Sequence, residues 1–209
     1  MSQGAEDRIG LRERKKRATR VALSQATIRL CIEHGWGKVT VEDIATAADV
    51  SVRTFRNYFS SKAEAIAAGH LERMLRIADE LRARPAAEPL WDSLTHAVLA
   101  QFAPADAPDR QAAHDRRWSE GLRLMLAEPA LQGEVVKANA AAQDALAEAV
   151  AARTGTDAAH DVYPKLVAAV VSAGSAVAVE HCLKAESPSP LAPVLTEVFE
   201  RLAAGLPVP

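Results

Sequence analysis

Between residues 12 and 34 apolar side chains recur at helical spacing, with Val21, Ile28 and Ile32 on one side and Gly35 supplying the stop. A second, shorter period follows in "TVEDIATAADV" (40–50). Thr40 with Asp43 three residues on forms a capping pair, and Ile44 with Ala47 or Ala48 gives the buried spacing of a short helix. A third begins after Ser51, whose side chain can cap the first free amides of "SVRTFRNYFSSK" (51–62). At 100° per residue Val52, Phe55 and Phe59 fall at about 0°, 300° and 340°, one stripe for a core. The opposite face carries Arg53, Thr54, Asn57 and Tyr58, with Arg56 on the flank. A helix face that is merely solvated is usually built from Glu and Lys, whereas these side chains reach base edges and phosphates. Two short helices joined by a tight turn, the second with such a face, form a helix-turn-helix.

No strand pattern follows residue 60. Ser61 and Glu64 suggest a capping box for a helix over 62–84, ended by Pro85. Prolines at 89, 104, 108 and 129 then punctuate helices near 88–102, 109–127 and 129–153. A helix over 157–185 follows Thr154-Gly155-Thr156. After "SPSP" (187–190) comes a last helix near 190–204, with Ser189 as N-cap and Pro190 in the first turn. The expected fold is all-α with about nine helices. An N-terminal three-helix DNA-binding domain (1–61, with a basic arm over 1–17) precedes a larger helical effector-binding and dimerisation domain (62–209), and the 62–84 helix connects them.

Charge sharpens this division. Residues 1–60 hold 11 Lys and Arg against 7 Asp and Glu, while the remaining 149 hold 14 against 20, so the overall −2 conceals a basic first quarter. Arg12, Arg14, Lys15, Lys16, Arg17 and Arg20 crowd nine positions with only Glu13 opposing them, which suits phosphate attraction.

Residues 19–64, "TRVALSQATIRLCIEHGWGKVTVEDIATAADVSVRTFRNYFSSKAE", resemble the DNA-binding domain of the TetR family of one-component transcriptional regulators. The matching pieces are A-x-x-x-L at the end of the first helix, Gly35-Trp36, T-V-x-D-I-A at 40–45, V-S-x-R-T-F at 50–55 and Y-F-x-S-K at 58–62. They cover about a quarter of the chain. One departure is Cys31, where the family usually has a bulky aromatic; a core substitution of small consequence is expected. The resemblance implies that Arg53, Thr54 and Asn57 approach bases, that Arg56, Tyr58 and Lys62 hold the DNA backbone, and that Thr40 contacts phosphate at the start of the second helix. Arg17, in the basic arm, joins them as a DNA-contact candidate. It also implies a homodimer joined by the last two helices, a double-stranded, roughly palindromic operator, and repression.

Two apolar stripes bear on that dimer. Leu191, Val194 or Leu195, Val198 and Leu202 form one, and Tyr163, Val167, Val170, Gly174, Val177 and His181 form the other. Gly174 and Ala178, four apart, permit close approach of a second helix. Candidate effector-lining residues are Trp91, Phe102, Trp118, Leu122, Met125, Asn139 and Gln143, of which Asn139 interrupts the apolar series Val135, Ala142, Leu146. Apolar walls imply a small apolar or amphipathic effector, and the helical region loosely resembles that of family members that bind acyl-type compounds.

Other classes fare worse. "GWGKVT" (35–40) lacks the phosphate-loop spacing and follows a helix, and there is no H-E-x-x-H, Cys pair or G-x-S-x-G, so no enzyme and no cofactor or metal is expected. The two cysteines, Cys31 and Cys182, lie far apart within apolar helical patterns, which favours a reduced cytoplasmic protein. The longest uncharged stretch past the middle, 166–179, is short for a bilayer, so no membrane partner is expected. A constitutive DNA binder without effector and a metal-sensing regulator are the alternatives to a ligand-released repressor.

Overall fold

The computed structural model describes residues 3–102, 120–184 and 190–208, with side chains from Arg14 onward, and these residues hold nine α-helices and no strand. They are α1 (Gln3–His34), α2 (Val41–Ala47), α3 (Val52–Tyr58), α4 (Lys62–Ala83), α5 (Leu90–Phe102), α6 (120–126), α7 (Pro129–Thr154), α8 (Val162–Lys184) and α9 (Leu191–Ala203). The chain forms two compact units, 1–69 with 121–134, and 70–120 with 135–209. Most of the expected helix at 109–127 and the N-cap expected at Ser189 lie outside the described residues. Three ends differ from expectation. α1 starts at Gln3 and not near residue 12, and α8 starts at Val162 after a turn at 157–161. Pro190 occupies the N-cap itself, with Leu191 the first helical residue.

The helix ends follow local chemistry. At α2 the Thr40 hydroxyl accepts from the Asp43 amide at 3.2 Å while the Asp43 carboxylate accepts from the Thr40 amide at 2.9 Å, a complete capping box. At α4 the Ser61 hydroxyl accepts from the Glu64 amide at 3.1 Å, but the Glu64 carboxylate turns to the amide and hydroxyl of Ser60, both at 2.7 Å. Gly35, at φ +88, ends α1. The turn after α2 is made without glycine. Asp49 takes the left-handed conformation at φ 53, its amide donates to the Thr46 carbonyl at 3.1 Å, and the Val50 amide donates to the Ala45 carbonyl at 2.9 Å. That pair of bonds is a Schellman closure, and it sets the angle at which α3 leaves α2.

In the first unit α1 packs on α2, and α2 on α3. The buried side of α1 is Leu23, Ala26, Thr27, Cys31 and Ile32, so the expected stripe is turned: Ile32 belongs to it, while Val21 and Ile28 sit half-buried on its flank. Cys31 is enclosed, and burial pushes its thiol up, partly offset by the charge of Lys62. Residues 121–134 complete this unit and bury Met125 and Leu131. Gly121 is required there, because a Cβ at that position would lie 2.4 Å from the Ile32 carbonyl oxygen.

The second unit gathers Ile77, Leu81, Leu94, Val98, Val150, Val171, Leu195 and Phe199 into one core supplied by α4, α5, α7, α8 and α9. Its α4–α5 connection is held by Arg153 at the end of α7. One arm of that guanidinium donates to the carbonyls of Pro85 at 2.6 Å and Glu88 at 2.7 Å and to the Ser93 hydroxyl at 2.7 Å. These are charge-assisted bonds to backbone groups that no helix satisfies. Glu88 is paired with Arg84 and accepts from Ser93 at 2.7 Å, and these bonds hold its carboxyl down at about 2. A Cβ on Gly174 would meet Leu202 Cδ1 at 3.0 Å and Val198 Cγ1 at 3.1 Å, so the second helix that this glycine is expected to admit closely is α9 of the same chain.

Two measurements check this packing. Gly121→Ala should gain ~1 kcal/mol of helix propensity and lose more to the Ile32 carbonyl, lowering Tm by several degrees, where an exposed helical glycine would show a rise. The folded-state carboxyl of Glu88, at about 2, lies below its ordinary 4.5, so its contribution is fully present above pH 4.5 and is lost as pH falls through 2. The Tm gap between wild type and Glu88→Gln should therefore be constant at neutral pH and close on acidification through that window. A gap independent of pH down to 2 would contradict the assignment.

Candidate nucleic-acid interface

A seven-residue helix has no stability of its own, and α3 is held from below and at its start. Phe55 and Phe59 are fully buried with ring centroids 5.8 Å apart and an interplanar angle of 57°. Ser51 caps the start, its hydroxyl accepting from the Thr54 amide at 3.0 Å. With that anchoring, Arg53, Arg56 and Asn57 are exposed on the outer side, while Thr54 and Tyr58 are half-buried. Arg53 and Asn57, one turn apart, present a bidentate donor fork and an amide with both donor and acceptor, the groups that pair with guanine and adenine edges in a major groove.

The other expected contacts fall into two groups. Thr40 and Arg17 are exposed. The Thr40 hydroxyl bonds the Asp43 carboxylate at 2.7 Å, and that bond with the amide bond beside it holds the Asp43 carboxyl below the usual carboxylate range. The Thr54 hydroxyl is 2.8 Å from that of Ser51, so its first role is inside the cap. Tyr58 leans on Phe59, centroids 6.4 Å apart. Lys62 has a structural task that its sequence position did not disclose. Its ammonium donates to the carbonyls of Trp36 and, at 3.0 Å, Val39, and lies 4.5 Å from the centroid of the Trp36 ring. It ties the start of α4 to the turn after α1. Arg20, counted in the basic cluster, stands 5.0 Å over the Phe59 ring and so covers the outer edge of the aromatic pair.

The residues expected to line an effector site are divided between the two units. Trp91 and Phe102 pack half-buried on the second unit's core, and Asn139 and Gln143 are half-buried one turn apart on α7. Leu122 and Met125 belong to the first unit, through the segment 121–134, and Trp118 lies outside the described residues. Asn139 has a partner that the sequence did not suggest: its Oδ1 is 2.6 Å from His70 Nε2. Desolvation pushes the His70 imidazole down, against the Asn139 bond that raises it, and the charge of Arg73 adds to the lowering. Among the described residues no group of three or more His, Cys, Asp and Glu is arranged to hold a metal ion.

Comparison with known proteins agrees with this geometry. Residues 23–68 match the model of bacterial regulatory proteins of the tetR family, and residues 88–207 match the MftR C-terminal domain. The chain is 33% identical over 205 residues to MftR of Mycobacterium tuberculosis (strain ATCC 25618 / H37Rv), named as a candidate mycofactocin biosynthesis transcriptional regulator, covering 96% of each chain. It is 30% identical over 179 residues to the HTH-type transcriptional regulator TcmR of Streptomyces glaucescens, covering 85% of this chain and 79% of that one. Among solved structures, a TetR-family regulator from Syntrophomonas wolfei str. Goettingen superposes with TM-score 0.60 at 18% identity, over 92% of this chain and 98% of the other. The fatty acid degradation regulator FadR from Bacillus halodurans does so with TM-score 0.53 at 19% identity, over 90% and 96%; both likenesses concern the fold. The two matched regions, the relatives and the helix-turn-helix agree, and the chain belongs to the TetR family of transcriptional regulators.

Proposed function

We propose that this regulator is a homodimeric repressor that occupies a roughly palindromic operator and leaves it when a small molecule binds the second unit. The observation that carries the reading is the exposed Arg53–Arg56–Asn57 face on a helix whose opposite side is fixed by two buried phenylalanines. A reading helix that cannot rotate commits its side chains to one register, and register is what sequence discrimination requires.

Dimerisation draws support from α8. This helix of 23 residues buries Val167, Val171, Gly174 and Ala178 in its own chain, yet Tyr163, Leu166 and Val177 are exposed on its far side. A second copy related by a two-fold axis would cover that side with the same residues. The partition corrects the expected stripe: Val167 and Gly174 face inward, and Leu166 replaces them outside. Release draws support from the continuity of α4. It begins at Lys62, tied to the carbonyls after α1, and continues past residue 69 into the second unit, so a ligand there can act on the reading heads through one continuous helix. A coupling of ~1–3 kcal/mol would change operator affinity by about 5- to 150-fold.

Selection from random-sequence DNA at fixed, near-physiological salt should enrich an inverted repeat. Arg53→Ala should flatten the preference at one position of each half-site, worth about 1–3 kcal/mol, while leaving the salt dependence nearly intact. Lys62→Met should lower Tm and weaken all sequences alike. Equal selectivity of wild type and Arg53→Ala would remove Arg53 from the reading face. For the dimer, Val177→Asp should shift sedimentation from about twice 22.3 kDa to the monomer mass, with helicity unchanged. A wild-type monomer at micromolar concentration would defeat the dimer.

A further inference from the structure

Arg73, on α4, is half-buried, and its guanidinium stands 5.2 Å over the ring of Phe102 on α5. No carboxylate pairs with it among the described residues; the like charge near it is Arg76, which donates to Gln101 Oε1 at 2.9 Å, and His70 lies one turn back on α4. A partly desolvated arginine in a fold is ordinarily matched by an anion, and a ring face satisfies the charge without satisfying the N–H fork. Beside it is the His70–Asn139 pair, bonded Nε2 to Oδ1, and among the described residues neither N–H of the Asn139 amide has a hydrogen-bond acceptor. Arg73 thus stands over Phe102, which packs with Trp91 and Leu99 against the apolar core, and the His70–Asn139 pair lies one turn back along α4.

We infer that Arg73, with Asn139 oriented by His70, forms a receptor for the anionic head group, carboxylate or phosphate, of an effector whose apolar body lies against Phe102 and its neighbours on α5. The site deepens the sensor reading and rests on it. It specifies what an apolar wall alone does not, namely a formal negative charge at one end of the molecule. Arginine suits the task because its planar fork meets two oxygens of either oxyanion at once, with Asn139 contributing neutral donors alongside. His70 acts as a positioning residue. By donating through Nε2 it fixes the Asn139 side chain with its oxygen turned away from the anion.

Three ten-carbon probes test this with the full-length protein, each kept below its micellar concentration: decanoate, decyl phosphate and 1-decanol. Affinity for each is measured by calorimetric titration on wild type, Arg73→Met and Arg73→Lys. Wild type should prefer at least one of the two anions over the alcohol by on the order of tenfold or more. Arg73→Met, which keeps an apolar stem, should reduce that ratio to near one with the alcohol unchanged, and Arg73→Lys should keep part of it. Which anion is preferred separates a carboxylate from a phosphate effector. Operator binding by each variant verifies that it is folded. No preference for either anion in wild type, or a preference that survives Arg73→Met, overturns the receptor. The sensor reading fails by a different result: an anion that binds with the stated preference and leaves operator affinity unaltered.

Discussion

The phenylalanine pair beneath α3 is the constraint on which the recognition surface depends. A helix of two turns gains little from its own hydrogen bonds, so its orientation is inherited from whatever it buries. Here Phe55 and Phe59 meet at a tilted angle, the Ser51 cap fixes the start, and Arg20 lies over the outer ring. Each buried ring is worth ~3–5 kcal/mol against alanine, more than the helix could supply for itself. Function and folding therefore share residues in this unit. The side chains aimed outward are held in place by Phe55 on the same helix and by Phe59 at its C-cap.

Most of the elements could be read from the sequence because their determinants are local. Thr40 and Asp43 are three residues apart in both sequence and bond, and Gly35 and Pro85 act on their immediate neighbours. The Val52–Phe55–Phe59 spacing fixed which side of α3 would be outermost. What escaped depends on residues far apart in the chain. Lys62 is expected at the DNA backbone, and nothing near it in the sequence announces its bonds to the carbonyls of Trp36 and Val39. Gly174 announces the close approach of a second helix, but a small residue does not say which helix, and the structure supplies α9. The effector candidates were chosen by composition, and composition does not register that 121–134 joins the first unit while 135 onward joins the second. His70 and Arg73 carried no local signal at all: one His among six scattered ones, one Arg among many.

α8 shows how one apolar sequence serves two environments. It is the one described helix long and apolar enough, by length and composition, to cross a bilayer. Its inward face is closed by α9 against Gly174, and Tyr163, Leu166 and Val177 stand outside. Apolar residues all round a helix follow from protein neighbours as readily as from lipid, and one side of α8 is enclosed by its own chain.

The contribution of residues 121–134 to the first unit has a consequence for how the protein is made. A helix-turn-helix at the start of a chain would ordinarily close as soon as its three helices leave the ribosome. Here Met125 and Leu131 lie in its interior and Gly121 rests on the Ile32 carbonyl, so the unit that binds DNA is unfinished until more than half of the polypeptide has been synthesised. Residues 70–120, which belong to the second unit, come between those two parts in the chain, and the entropy of bringing the parts together grows only slowly with that separation. The reading head and the helices that follow it thus mature together, and a nascent chain cut short within them carries the reading residues on an unclosed core.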